Sequence, residues 1–234
     1  MAALAPLVSV AEPVHVVLVG DSTVTEKSGW GAGLRALLAG EVRLTNTARG
    51  GRSSMSFIKE GHWEKALALK GDYYLIQFGH NDEPGKPGRS TTLNEYRSYM
   101  TRYVEDVRAQ GAKPVLVTPL VRRQFKDKSN PNRIISSLNE RAEIVRQIAR
   151  DKEVPLLELH DRSKALCEKL GPKGCEAFSP RKEDGSIDAT HLNEQGALPF
   201  ARIVADELRL VVPELAKFLR VDEVAKATAD ATPN

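Results

Sequence analysis

The chain is predicted to fold as an α/β protein, a three-layer α/β/α sandwich around a parallel sheet of about five strands. Three observations carry this. Apolar strand-like runs alternate with segments of helical periodicity along the chain, the pattern that places a parallel sheet between helices. The first run, Val14 to Val19, is apolar except for His15, as expected of a strand covered on both faces. Polar, small or titratable clusters follow the first three runs directly, and in open parallel sheets the ligand crevice lies outside the carboxyl ends of the strands.

Taken in order, the strand signals are Val14 to Val19, Val42 to Thr47, Tyr73 to Phe78, Pro114 to Thr118 and Pro155 to Leu159. Between the third and fourth, Leu93, Tyr96, Tyr99, Met100, Tyr103, Val104 and Val107 recur at three- and four-residue steps, forming one apolar helical stripe that Gly111 closes as a cap. Ile134, Leu138, Ala142, Val145 and Ile148 form a second stripe that ends before Pro155. A final helix begins near Leu192, with Pro199 in its first turns. Residues 14–220 are expected to form one domain, with 1–13 and 221–234 as terminal arms.

Bulk composition narrows the function classes. With 234 residues, 41% hydrophobic and 28% charged, the chain is ordinary for a single globular domain. A net charge of +3 is too small to indicate a nucleic-acid partner, and no apolar run is long enough to cross a bilayer. The segment Met1 to Pro13 is apolar but lacks the basic start of a secretory signal. The chain has neither a phosphate-cradling Gly-x-x-x-x-Gly-Lys nor a dinucleotide fingerprint, and His15, His62 and His160 show no metal-ligand spacing, so neither an organic cofactor nor a metal is expected.

The clusters at the strand ends carry the chemistry. Gly20-Asp21-Ser22 follows strand one, Arg49-Gly50-Gly51-Arg52-Ser53-Ser54 lies beyond strand two, and Gly79-His80-Asn81-Asp82 follows strand three. Asp188-Ala189-Thr190-His191 precedes the last helix. Alone, Ser22 reads first as a helix cap and only second as a nucleophile. Together the four clusters supply what acyl transfer requires. A serine hydroxyl needs a base to take its proton, and histidine is the side chain suited to that exchange near neutral pH. A carboxylate must fix the imidazole tautomer, and Asp188 lies one turn from His191. The tetrahedral oxyanion needs preset donors, each worth about 3 kcal/mol. The amides of Ser22 and Gly51 and the Asn81 side chain are the candidates. Asp21 reads as a ligand of neighbouring amides, and Trp30 and Trp63 as core or groove walls.

These blocks, in this order and spacing, resemble the SGNH hydrolases, also called the GDSL esterase superfamily. Gly50-Gly51-Arg52-Ser53-Ser54, Gln77-Phe78-Gly79-His80-Asn81-Asp82 and Val117 to Arg123 are most similar to its rhamnogalacturonan acetylesterase group. The resemblance implies a flavodoxin-like sandwich and a serine esterase with Ser22 as nucleophile, His191 as base and Asp188 as its partner. It also implies an oxyanion hole of Ser22, Gly51 and Asn81. The expected activity is removal of acetyl groups from polysaccharide, foremost pectic rhamnogalacturonan. The alternatives are an esterase on acetyl-xylan or xylo-oligosaccharides, a lipase or thioesterase, and a metallophosphoesterase built on Asp21, His80, Asn81, Asp82 and His191.

The expected partner is an acetylated polysaccharide or oligosaccharide, with no nucleic acid and no membrane. His80, Arg52, Arg122 and Arg123 are candidate substrate-binding residues. The arginines, with Arg49, Lys126, Lys128 and Arg133, would meet uronic-acid carboxylates, the competing reading being a solvated basic loop. A polymeric substrate favours a secreted or periplasmic enzyme over a cytoplasmic one acting on imported oligosaccharides. Cys167 and Cys175 are the only cysteines. They flank a segment read as a loop, with Gly171-Pro172 and Gly174, and are expected to pair in an oxidising compartment, free thiols being the alternative.

Overall fold

Each central strand has side chains that alternate between two apolar layers, and this alternation builds the sandwich. The structure is a computed structural model that describes residues 12–220; of the expected arms 1–13 and 221–234, all but residues 12 and 13 lie outside the described residues. Strands β1 (Val14–Gly20), β2 (Val42–Asn46), β3 (Tyr73–Gln77), β4 (Lys113–Val117) and β5 (Leu156–Leu157) form one parallel sheet in the order β2-β1-β3-β4-β5. Val16 and Leu18 of β1 join one core with Leu75 and Val115, while Val17 and Val19 join the other with Tyr74, Ile76 and Leu116. Side chains of successive strand residues point to opposite faces, so burial on both faces explains the unbroken apolar runs.

The first core is closed by α1 (Gly31–Leu37), α6 (Leu159–Glu176), α7 (Glu194–Val211) and α8 (Pro213–Ala216). The second is closed by α2 (Ser54–Lys59), α3 (His62–Leu67), α4 (Leu93–Ala109) and α5 (Asn139–Asp151). Trp30 and Trp63 are buried in opposite cores. The Thr92 capping box starts α4, its hydroxyl accepting from the Glu95 amide. Gly111, at φ +76°, follows its end. Because β1 lies between β2 and β3, α1 joins β1 to β2 on one face while α2 and α3 join β2 to β3 on the other, and a crevice opens at the carboxyl ends of β1 and β3.

Three features differ from the sequence expectation. The fifth strand pairs through only Leu156 and Leu157, since Pro155 has no N–H to donate and the Glu158 side chain already caps α6 at the Asp161 amide. Ile134 and Leu138 are buried but precede α5, so their spacing reflects packing of a loop and not helical backbone. The segment between the cysteines is not an extended loop: two helical pieces of α6 meet at Gly171, whose φ of +68° and ψ of 176° are non-helical, so the break signalled by Gly171-Pro172 is present but confined to a kink. Cys167 and Cys175 flank that kink as buried thiols, and no bond joins them. Instead the Cys175 Sγ donates to the Cys167 carbonyl at 3.6 Å, a contact that holds the thiol turned toward the helix backbone. The neighbouring Cys175 thiol and burial both push Cys167 upward, which keeps it an unreactive thiol.

Candidate active site

The turn after β1 is built to hold one serine in place. At Gly20 a Cβ would come within 2.6 Å of the Gln77 carbonyl on β3, so only glycine lets the two strands run this close into the turn. Asp21 is fully buried beneath it, and its Oδ1 accepts from the Thr23 amide at 2.8 Å and the Thr23 hydroxyl at 2.7 Å. Gln77 Nε2 donates to the same hydroxyl at 2.6 Å, and Trp30 Nε1 donates to Gln77 Oε1 at 2.9 Å. From the other side, the Ser22 carbonyl accepts from the hydroxyls of Thr25 and Ser28 at 2.7 and 3.0 Å. Asp21 thus acts as the amide ligand its sequence position suggests.

Ser22 Oγ stands 2.8 Å from His191 Nε2, and His191 Nδ1 stands 2.7 Å from Asp188 Oδ2. The other Asp188 oxygen accepts from the amides of Thr190 and His191 at 2.8 and 3.0 Å, so one carboxylate both shapes the turn and orients the ring. Burial alone would raise the Asp188 carboxyl. The hydrogen bonds from the His191 ring and from these two amides outweigh it and bring the carboxyl down to about 2, so it is ionised whenever the base is needed.

Two neighbouring loops complete the arrangement. Gly51, at φ +77°, turns the β2 loop past the serine, and a Cβ on Gly50 would lie only 3.8 Å from that of Ser22. Among the described residues the backbone amides of Ser22 and Gly51 have no hydrogen-bond partner. Asn81 Nδ2 donates to the Arg52 carbonyl at 3.1 Å. That contact fixes the amide orientation and leaves its second N–H for a ligand. The set provides a nucleophile, a base with its orienting carboxylate, and three donors on one side.

The four candidate substrate residues have other partners. His80 is 2% exposed, with Nδ1 3.3 Å from Asp21 Oδ2, so it lies beneath the nucleophile turn and cannot line a cleft. Arg123 is 5% exposed; its guanidinium holds the carbonyls of Asp188 and His191 and, at 3.0 Å, the Ser179 hydroxyl. Arg122 donates to Glu83 at 2.6 Å, to the His80 carbonyl at 3.2 Å and to the Thr190 hydroxyl. The two arginines are therefore braces tying the loops after β3 and β4 to the Asp188–His191 turn. Arg52 is paired with Glu60 at 2.7 Å and bonds the Gly50 carbonyl. Arg133 of the basic loop is paired with Asp127.

The carboxylates and imidazoles needed by a metallophosphoesterase are likewise engaged. Asp82 is buried, accepting from the Ser54 hydroxyl at 2.5 Å and the Thr91 hydroxyl at 3.1 Å, while Asp21 and His191 serve the serine. A cavity of about 800 Å³ opens at the opposite, amino-terminal ends of the strands, lined by His15, Arg43, Asp72 and Lys113 among others. It contains none of the groups above. The bracing by Arg122 and Arg123 had no local signal in the sequence, because the carbonyls they hold lie up to 68 residues away.

The comparisons with known proteins agree with this geometry. A model of the GDSL-like lipase/acylhydrolase family matches residues 18–197. The rhamnogalacturonan acetylesterase RhgT of Bacillus subtilis is 35% identical over 213 residues, covering 83% of this chain and 89% of that protein. Among solved structures, protein YXIM of Bacillus subtilis superposes with a TM-score of 0.73 at 26% identity, over 84% of this chain and 56% of its own length. The acetylxylan esterase Axe2 of Geobacillus stearothermophilus shares the fold, with a TM-score of 0.65 at 17% identity over 86% of this chain and 96% of the other. The match across most of the chain, with the serine, glycine, asparagine and histidine blocks converging on one sheet edge, makes this chain a member of the GDSL-like lipase/acylhydrolase family and a carboxylic ester hydrolase.

Proposed function

We propose that this chain is a serine carbohydrate esterase, in one domain spanning residues 14–220, that releases acetate from acetylated polysaccharide, with pectic rhamnogalacturonan as the favoured substrate. The observation that carries the reading is the unbroken Ser22–His191–Asp188 relay beside two unpartnered backbone amides. The similarity to a rhamnogalacturonan acetylesterase over 83% of the chain supports the substrate class.

In the first half-reaction Ser22 Oγ attacks the acetyl carbonyl carbon as His191 Nε2 takes the hydroxyl proton. The carbonyl oxygen becomes an oxyanion that receives the N–H groups of Ser22, Gly51 and Asn81. The intermediate collapses, the bond to the sugar oxygen breaks, and His191 returns its proton to that oxygen. Water then attacks the acetyl-serine, again through His191, releasing acetate and restoring the hydroxyl. Asp188 stays ionised throughout and stabilises the imidazolium. A polymeric substrate favours export from the cell, and no helix among the described residues is long and apolar enough to cross a membrane.

The test is acetate release from acetylated rhamnogalacturonan, acetylated xylan and acetylated homogalacturonan under matched conditions. The reading predicts the highest kcat/KM on rhamnogalacturonan. Activity confined to xylan or to long-chain esters would replace that substrate.

A further inference from the structure

The basic residues around the crevice separate by whether a carboxylate already answers them. Arg52 faces Glu60, Arg122 and Lys86 face Glu83, and Arg123 is buried on backbone carbonyls. Arg49 and Arg89, which flank Gly51, have no acidic partner among the described residues and are not buried on backbone carbonyls as Arg123 is. Arg49 lies two residues before Gly51, exposed and without a side-chain hydrogen bond. Arg89, from the loop between β3 and α4, is half-buried and donates one N–H to the Gly51 carbonyl at 3.2 Å. A guanidinium has five N–H donors, so that single bond orients the Arg89 side chain against the oxyanion loop and leaves the rest of its donors uncommitted.

We infer that Arg49 and Arg89 form a carboxylate-binding subsite that recognises a uronic-acid residue next to the acetylated sugar. The inference rests on the proposed function and names which residues supply its preference for a pectic substrate. The bond to the Gly51 carbonyl sets Arg89 beside the acetyl position, because Gly50, one residue before Gly51, packs against Ser22. A neighbouring ring's carboxylate is the group of matching charge at that reach. Guanidinium binds carboxylate in a planar, two-bonded geometry, and a half-buried guanidinium without a counter-charge retains more of its Coulomb attraction than a fully solvated one. A bound uronate would supply that missing charge, whereas a neutral xylan would leave it unanswered.

The experiment measures competitive inhibition of p-nitrophenyl acetate hydrolysis by unacetylated oligogalacturonates and, as the neutral control, xylo-oligosaccharides of equal length. Wild-type enzyme should be inhibited at least tenfold more strongly by the uronate series, and raising the salt concentration should erode that difference. Arg49→Ala, a substitution at an exposed position with no side-chain hydrogen bond or ion pair among the described residues, and Arg89→Ala should each raise the inhibition constant for oligogalacturonate about five- to tenfold. The constant for xylo-oligosaccharide should stay where it was. Equal inhibition by both series, or an unchanged uronate constant in both variants, would overturn the subsite. The outcome is separable from the function itself. Uronate inhibition lost in the variants, with no acetate released from rhamnogalacturonan by wild type, would keep the subsite and remove the substrate. Acetate release with uronate inhibition insensitive to both substitutions would do the reverse.

Discussion

Asp82 and Asp188 show how differently one side-chain type behaves in two of the blocks that build the site. Hydrogen bonds hold Asp188 down to about 2. For Asp82, burial is the largest influence and the donors from Ser54 and Thr91 only partly offset it, so its carboxyl is raised to about 6. A folded-state value above the unfolded one, near 3.9, means that the folded protein holds this proton more tightly. The stabilisation is then complete below about pH 4 and is lost as pH rises through about 6, by an amount on the order of 3 kcal/mol. The expected outcome is that Asp82→Asn, whatever it does to stability at one pH, flattens the fall in Tm between pH 4.5 and 7.5 relative to wild type. Parallel Tm profiles for the two proteins would show that Asp82 does not titrate in that window. Residue-level chemistry was largely legible in the sequence, since Ser22, Gly51, Asn81, Asp188 and His191 all lie in short polar blocks. The substrate roles given to His80 and Arg123 were not, because burial is a property of what packs around a residue and no local pattern announces it.

Among elements, the loops carry more of the site than the helices do. The turn bearing Asp188 and His191 belongs to no regular element and is positioned from outside. The Leu192 amide donates to the Ser28 carbonyl at 3.0 Å, Arg123 holds two of the turn's carbonyls, and Arg122 holds Thr190. Arg123 also lies over the Phe200 ring of α7, 6.0 Å from its centroid. Removing it leaves two part-buried carbonyls without these donors, which costs up to about 1–3 kcal/mol per group where water cannot replace them. Arg123→Ala should therefore lower Tm and reduce kcat on p-nitrophenyl acetate about tenfold or more with little change in KM, as expected when the base is misplaced and the ester is bound as before. A rise in KM at constant kcat would return Arg123 to substrate binding. The sequence indicated β1 to β4 and α4 well, because their periodicities are long and regular. In α6 the break signalled by Gly171 and Pro172 is present, but it is one non-helical residue joining two helical pieces and not the loop expected. Cys167 and Cys175 lie on either side of it as free thiols in this structure.

At the scale of the whole molecule, the sheet order makes the site. The reversal at β1 brings the loops after β1, β2 and β3 to one edge, so nucleophile and oxyanion donors come from three consecutive strands while the base arrives from the turn before α7. Ser22 and His191 are 169 residues apart in sequence and 2.8 Å apart in space. This long-range pairing is the central claim, and it predicts that the two side chains act as one unit. The direct measurement is kcat for p-nitrophenyl acetate across the cycle of Ser22→Ala, His191→Ala and the double variant. Each single substitution should reduce kcat by about three orders of magnitude or more, and the double variant should be no slower than the slower single. A Ser22→Ala enzyme retaining a tenth of wild-type activity, or losses that multiply in the double variant, would contradict the account.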